Sequence, residues 1–302
     1  MSLGLKNYSV IIPHFTKGGT ELLDRAIFSV PKREDVEIIV VDNSSTPIDS
    51  GLYKSEPMVS IYFSDNSRGA GGARNVGLSK AQGRWLLFMD ADDYFTPTAF
   101  ESLDRFVESN NDIVFFKPTS VFSETNELAG RHLVFCEEID EYLKTGNEYD
   151  LRYREFDVPW AKMIKRTFVE ENNIQFDEVP ASNDVMFSLK TGIAAKKISA
   201  SGDTVYCVTV TKGSITNVKS LRNLKSDFDV RIRKNALLVS HGLKRECSLL
   251  NPIVKSRRYG IKVMTSFIIK AIRTGNLFVG YNRWISSLLH LSNKKSEYIV
   301  EE

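Results

Sequence analysis

Apolar positions recur along the first hundred residues in two alternating rhythms. Short runs rich in β-branched and aromatic residues, YSVIIP (8–13), VEIIVVDNSS (36–45), SIYFSD (60–65) and RWLLFMD (84–90), break off at Pro, Asp, Asn or Ser and predict strands. Between them TELLDRAIFSV (20–30) has helical spacing behind Thr20, and GGARNVGLSKAQG (71–83) carries helix formers up to Gly83. TPTAFESLDRFVESN (96–110) predicts another helix, capped by Thr96 with Pro97 in the first position. This alternation predicts an α/β fold, a mainly parallel twisted sheet flanked by helices on both faces.

The rhythm then changes. DIVFFKPTS (112–120) and HLVFCEE (132–138) predict strands, WAKMIKRTFVEENN (160–173) and NDVMFSLKTGIAA (183–195) helices, and DTVYCVTVTKGSIT (203–216) a strand ending in a polar turn. Ser120 to Gly130 is expected to be a loop, and from Leu221 onward the pattern is helical and basic. A chain of 302 residues has room for one large domain and an appendage. Between Lys219 and Lys295 seventeen Lys or Arg face three acids, so a net charge of only +2 hides an acidic first part and a basic second part that should meet different partners. Three widely spaced cysteines suggest neither a disulfide framework nor a zinc site, so a reducing, cytoplasmic setting is expected. The opening MSLG is set aside; no charged segment followed by an apolar run begins the chain and no run of about eighteen apolar residues occurs, so it is not expected to span a membrane.

Candidate chemistry gathers where GRWLLFMDADDYF (83–95) turns from an apolar run into Asp90, Asp92 and Asp93. In open parallel sheets the ligand crevice lies beyond the carboxyl ends of the strands, where Asp42 is also expected. Carboxylates crowded there repel one another unless they bind a hard divalent cation that shares oxygen ligands with phosphate. A solvated acidic turn is the structural alternative. RGAGGARN (68–75) is a poor dinucleotide fingerprint, because Arg74 stands at the third Gly position and the segment follows the third strand. Its glycines suit either a close backbone approach to a ligand or a turn feeding a helix.

In this order, SVIIPHF, IIVVDNSS, DNSRGAGGARNVGL and LLFMDADD resemble the nucleotide-sugar-binding half of glycosyltransferase family 2, which has the GT-A fold. VPWAKMIKR, NNIQFDE, SNDVMFS and TKGSIT are similar to the acceptor half of capsule and cell-wall polysaccharide members. The resemblance covers about residues 8–216 and implies a GT-A domain over 1–218, with a donor half at about 8–112 and an acceptor half at about 113–218, followed by a basic helical extension over 219–302. It implies that Pro13 and Phe15 border the nucleotide base, that Asp42 with neighbouring Asn43 holds the base or ribose, and that Arg74 lies beside the base. Asp90 would contact ribose or sugar, Asp93 would belong to the same substrate site, and Asp92 would ligate Mg²⁺ or Mn²⁺ on the diphosphate. Asp184 would be the general base, while Trp160 and Lys162 match an acceptor-side motif. The chain departs from the family pattern at His14, Thr16, Asn43 and Asn183, the last standing where a Glu usually precedes the base.

The implied reaction is inverting, non-processive transfer from a nucleotide-diphosphate sugar, a UDP-sugar being the expected donor, to a hydroxyl of a saccharide or lipid-linked saccharide in polysaccharide biosynthesis. Asn282 to Trp284 is similar to the Gln-x-x-Arg-Trp of processive synthases, but Gly280 holds the Gln position and the segment comes too late in the chain. The rival readings are a nucleotidyltransferase of related fold and a non-catalytic nucleotide-sugar-binding protein. The four histidines form no ligand spacing. In the basic extension Lys255, Arg257, Arg258, Lys262, Lys270 and Arg273 interleave with Ile253, Tyr259, Ile261, Phe267, Ile268 and Ile272. That pattern fits peripheral contact with an anionic membrane at its cytoplasmic face, or a helical cap with a solvated charged side. Nucleic acid is not an expected partner, because the aromatics fit helix faces rather than a stacking platform.

Overall fold

The computed structural model describes residues 6–15, 19–154, 156–210 and 220–281. The chain divides into two units, 1–217 and 218–302. The first is built on one sheet whose strands lie in the spatial order β3 (Val59–Phe63), β2 (Val36–Asp42), β1 (Tyr8–His14), β4 (Trp85–Phe88), β7 (Lys162–Lys165), β6 (Ile113–Phe122), β8 (Ile198–Val210) and β5 (Tyr94–Phe95). Strands β1, β2, β3 and β4 are mutually parallel. β1 lies between β2 and β4, and its residues and those of β4 are almost wholly buried, which is why these strands read as unbroken apolar runs. Helix α1 (Glu21–Phe28) follows β1, and α2 (Gly69–Lys80) covers β1, where a Cβ on Gly77 would stand 2.4 Å from Ile11 Cγ2.

Beyond β4 the sheet is mixed. β6 and β8 are parallel, but β7 runs antiparallel between β4 and β6, and the two-residue β5 pairs antiparallel with β8. The remaining helices of this unit are α3 (Ala99–Asp104), α4 (Leu133–Thr145), α5 (Tyr149–Tyr153), α6 (Arg166–Glu171) and α7 (Val185–Ala194).

Several sequence expectations are corrected. HLVFCEE is not a strand: His132 precedes α4, in which Phe135, Glu138 and Ile139 are buried at helical spacing, so the apolar triplet 133–135 opens a helix whose period shows only further on. WAKMIKRTFVEENN is not one helix, since Ala161 takes a left-handed φ of 54° and KMIK fills the slot between β4 and β6 before α6 begins. Thr96 does not cap α3. Its hydroxyl and amide both bond to β8, at Thr204 O (2.7 Å) and Val205 O (3.0 Å), and Thr98 takes the cap position. Sheet pairing claims the residue that local capping chemistry would have used. The expected loop at Ser120–Gly130 starts as the end of β6, and its chain folds back so that Ala129 N–H donates to Ser120 O (2.8 Å).

The second unit contains α8 (Leu221–Ser240), α9 (Leu250–Ser256) and α10 (Ile261–Arg273), packed around Leu224, Phe228, Leu249, Ile253, Phe267 and Ala271. Ser220 caps α8, accepting from Asn223 N–H at 3.0 Å. The polar turn 211–216, Thr16, and Asn282 to Trp284 lie outside the described residues.

Candidate functional site

The site begins where β4 stops. Met89 N–H still donates to Ile11 O, and the chain then turns, with Asp93 N–H closing back on Asp90 O at 3.0 Å. The Tyr206 hydroxyl of β8 sits under this turn: it accepts from Asp90 N–H (3.0 Å) and donates to Asp93 Oδ2 (2.8 Å). Thr209 N–H donates to the other oxygen, Asp93 Oδ1, at 2.7 Å. Asp93 is only 3% exposed, and burial beside Asp90 and Asp92 pushes its carboxyl well above the usual range. It therefore acts as a tether between the acidic turn and β8. The Trp160 ring stacks on Tyr206 with centroids 5.3 Å apart, holding the phenol in place. Tyr206→Phe should cost ~2 kcal/mol, because the part-buried Asp90 N–H loses its partner and the buried Asp93 carboxyl one of its two. A thermal melt should fall by about 4–8 °C, and an unchanged melt would contradict the tether.

Asp90 and Asp92 differ from Asp93 in keeping solvent contact, Asp90 with 37% of its side chain exposed. Burial and then the charge of Asp90 raise the Asp92 carboxyl, with Arg25 and Arg131 pulling the other way. Its own backbone N–H also lowers the Asp92 carboxyl; among the described residues no other residue donates to that carboxylate, and its backbone carbonyl accepts from Arg25 Nη2. Arg25 also donates to Thr209 Oγ1 at 2.9 Å and lies over the Tyr94 ring. The turn thus offers two outward carboxylates whose repulsion is only partly balanced. Among the described residues no three His, Cys, Asp or Glu side chains are arranged to hold a metal. The pair suits a hard cation that takes its remaining oxygens from a ligand and from water.

Helix α2 supplies the opposite wall. Its RGAGGARN segment is a docking face for residues 176–184. The Asn75 side-chain amide pairs with the Phe176 backbone in both directions, at 3.0 and 2.8 Å, and Arg68 binds Glu178 through two guanidinium nitrogens. Gly71 lets Asp177 approach so closely that a Cβ would lie 2.0 Å from its carbonyl oxygen. Of the two readings open for these glycines, Gly71 serves close approach, but to the chain's own backbone. Arg74 spans the cleft: one guanidinium nitrogen donates to Asp90 Oδ1 at 2.6 Å, the other to Asn183 Oδ1 at 2.7 Å, and the group lies over the Phe176 ring. Phe176 in turn stacks on Phe187 of α7 and meets Phe88 of β4 edge-on.

These contacts set Asp184 beside the acidic turn. Asp184 stands at the N-cap of α7, and its side chain makes no capping bond to that helix. The preceding Ser182 holds a left-handed φ of 59°, which turns the chain into α7. The Asp184 residue keeps some solvent contact while protein crowds its carboxyl, which is the situation of a group lining a concavity. Burial raises it to about 6; Arg74 opposes the shift, and Asp90 and Asp157 add to it. A carboxylate held near that value is suited to accept a proton at neutral pH.

The sequence-selected residues fall into three groups. Arg74, Asp90, Asp92 and Asp184 converge, Arg74 joining Asp90 to Asn183, the residue before Asp184. Asp42 ends β2, which β1 separates from β4, and Asn43 follows it, both buried; the Asp42 carboxylate accepts from Ser44 N–H (3.1 Å), Ile48 N–H (2.8 Å) and the Ser44 hydroxyl, and meets His14 Nδ1 at 3.1 Å. Burial works to raise that carboxyl, but these bonds outweigh it and leave it below the usual range. His14, left to ordinary packing by its spacing in the sequence, thus orders the loop after β2. Pro13 and Phe15 flank it on β1 and just beyond, Phe15 exposed. Lys162 is buried between the Phe115 and Phe156 rings, with Nζ donating to Phe156 O at 2.7 Å, and holds the sheet rather than facing the cleft. Arg25, Asn75, Tyr206 and Thr209 escaped the sequence reading, because each acts on a partner 67 or more residues away and no local spacing marks it.

A sequence profile described as glycosyl transferase family 2 matches residues 9–172. A poly(ribitol-phosphate) beta-glucosyltransferase of Bacillus spizizenii is 27% identical, the match covering 97% of this chain and 46% of the relative. TarS of Staphylococcus aureus, a poly(ribitol-phosphate) beta-N-acetylglucosaminyltransferase, is 26% identical over 67% of this chain and 35% of its own length. The chain thus spans less than half the length of either relative. The crystal structure of S. aureus TarS residues 1–349 in complex with UDP-GlcNAc matches with a TM-score of 0.61 at 20% identity, covering 91% of this chain and 74% of that one, a likeness of fold.

Proposed function

This chain belongs to glycosyl transferase family 2, and from that premise we propose that it transfers a sugar from a nucleotide-diphosphate donor to a hydroxyl of a growing cell-surface polysaccharide, with inversion and one residue at a time. The observation that carries this reading is the Arg74 bridge, which sets Asp184 beside the Asp90–Asp92 turn. The donor diphosphate lies at the turn and the acceptor enters over α7. Asp184 takes the proton of the acceptor hydroxyl as its oxygen bonds to the anomeric carbon and the bond from that carbon to the diphosphate breaks on the far side. Arg74 holds Asn183, and so the start of α7, in register with Asp90 while this happens. Asp92, helped by Asp90, would hold Mg²⁺ or Mn²⁺, which when bound supplies Lewis-acid stabilisation of the departing diphosphate. Asp93 and Tyr206 keep the turn in place rather than touching substrate. UDP is the expected nucleotide, in keeping with the complex of the S. aureus protein.

The test is calorimetric titration of UDP, GDP and CDP with and without Mn²⁺ into the native chain and Asp92→Ala. Metal-dependent binding of one diphosphate, weakened at least tenfold in the variant while the melting curve is kept, supports the reading. Equal binding with and without the metal, or in the variant, overturns the assignment of Asp92. Pyrophosphate release from a nucleoside triphosphate would point instead to nucleotidyl transfer.

A further inference from the structure

Beyond the transfer site, the second unit carries an apolar and basic surface that is exposed among the described residues. In α10 the buried side is set by Phe267 and Ala271. Opposite them, within an arc of about 120° at 100° per residue, lie Ile261, Ile269 and Ile272 together with Lys262 and Arg273, all exposed. Ile261 is 67% and Ile272 58% exposed, and Phe278, just past the helix, is 78% exposed. Isoleucines grouped on one exposed arc form an apolar patch of the kind that marks a contact surface.

The charges point to what that is. Between residues 220 and 281 the only acids are Asp227, Asp229 and Glu246. Asp227 pairs with Arg231 and Asp229 with Lys270. Lys255, Arg257, Arg258, Lys262 and Arg273 make no ion pair among the described residues, and the turn carrying Arg257 and Arg258 leads directly into α10 through Gly260. A second copy of this unit would bring the same positive charge against itself. A soluble polyanion would satisfy the cations but leave the isoleucines wet. An anionic lipid surface does both: headgroups meet the Lys and Arg, and the isoleucines enter the boundary with the acyl chains. No described helix is long and apolar enough to cross a membrane, so the contact would lie in the interface.

We propose that the outer face of α10, with the basic turn before it, docks this protein on a membrane surface bearing anionic lipid. The proposal stands independently of the transfer reading, and its assay contains no sugar donor. The 302-residue chain is sedimented with vesicles of phosphatidylcholine alone and with about 30% phosphatidylglycerol, at about 0.1 and 0.5 M salt. Binding should require the anionic lipid and weaken at the higher salt. A triple variant, Arg257→Gln, Arg258→Gln and Lys262→Gln, should bind on the order of 10²-fold more weakly. Ile261→Asp with Ile272→Asp should lose at least tenfold. These side chains face water, so the variants should keep the native melting temperature, and one that does not is replaced by Ile261→Ser with Ile272→Ser. Equal sedimentation with both vesicle types overturns the proposal. So does loss in the charge variant with full binding in the isoleucine variants, since that pattern belongs to a soluble polyanion site.

Discussion

Asp184→Asn is expected to reduce sugar transfer by about 10² to 10⁴-fold while making the protein more stable at pH 8. Both effects follow from one property of the carboxyl, its rise from 3.8 to about 6 on folding. Between those values the folded chain holds a proton that the unfolded chain has lost, so stability falls as pH rises from about 4 to about 6 and stays at the lower level above. The charged form costs ~3 kcal/mol as an upper bound and about half that once the residue's solvent contact is allowed for. Asparagine removes the cost. Urea unfolding at pH 4, 6 and 8 should show the variant gaining on the native chain as pH rises. Transfer, followed as nucleoside diphosphate release from the donor, should have a kcat/KM that drops tenfold per pH unit below about 6 in the native enzyme. Native-like turnover in the variant would exclude Asp184 as the base, and equal stability at pH 8 would exclude the raised carboxyl.

Gly71→Ala is expected to lower kcat on the order of 10²-fold while leaving diphosphate binding within a few-fold of native. From helix propensity alone the change looks favourable, since Ala is better than Gly in a helix by ~1 kcal/mol. Packing reverses the sign. The new Cβ would meet the Asp177 carbonyl oxygen at 2.0 Å, its carbon at 2.9 Å and Asn183 Cβ at 3.2 Å. The first two are backbone atoms and cannot swing aside, so the 176–184 segment must withdraw by roughly an ångström, at about 1–3 kcal/mol. That displacement carries Asn183 and Asp184 away from Asp90, and misplacement on this scale costs about 10² in rate. Asp90 and Asp92 follow β4 and stay where they are. Loss of diphosphate binding in step with kcat would mean that α2 itself had moved, and undiminished kcat would mean that Asp184 does not depend on this contact.

The strands that make the strand mouth were legible because each is buried within its own sequence run. β1, β2 and β4 have apolar residues at nearly every position, and β2 stops at Asp42 and β4 just before the Asp-x-Asp, so local pattern alone locates Asp42 and Asp90 at strand ends; β1 instead runs through Pro13, where its pattern predicts a stop, to His14. The errors fell where a residue's conformation is decided by a distant partner. KMIK reads as helix until the gap between β4 and β6 takes it as a strand, and Thr96 reads as a cap until β8 claims its hydroxyl and amide. LVF reads as strand because three apolar residues carry no period of their own.

For the site, the sequence by itself determined which groups are chemically capable: the acids after β4, the arginine of the glycine-rich helix, and the acid at the start of α7. Their order along the chain, with the motifs around them, was enough for the family. Tertiary structure alone decided how the three acids after β4 divide their work. Asp93 is held inward because Tyr206 and Thr209, more than a hundred residues on, offer it bonds, while the Asp92 carboxylate receives none from any other described residue. It also decided that Arg74 joins Asp90 to Asn183 and that Gly71 makes room for the chain carrying Asp184. Residue identity fixes charge and reach, which a sequence displays. Which carboxylate is solvated and which is tethered depends on what the fold brings within about 3 Å, and contacts across a hundred residues leave no local period to read.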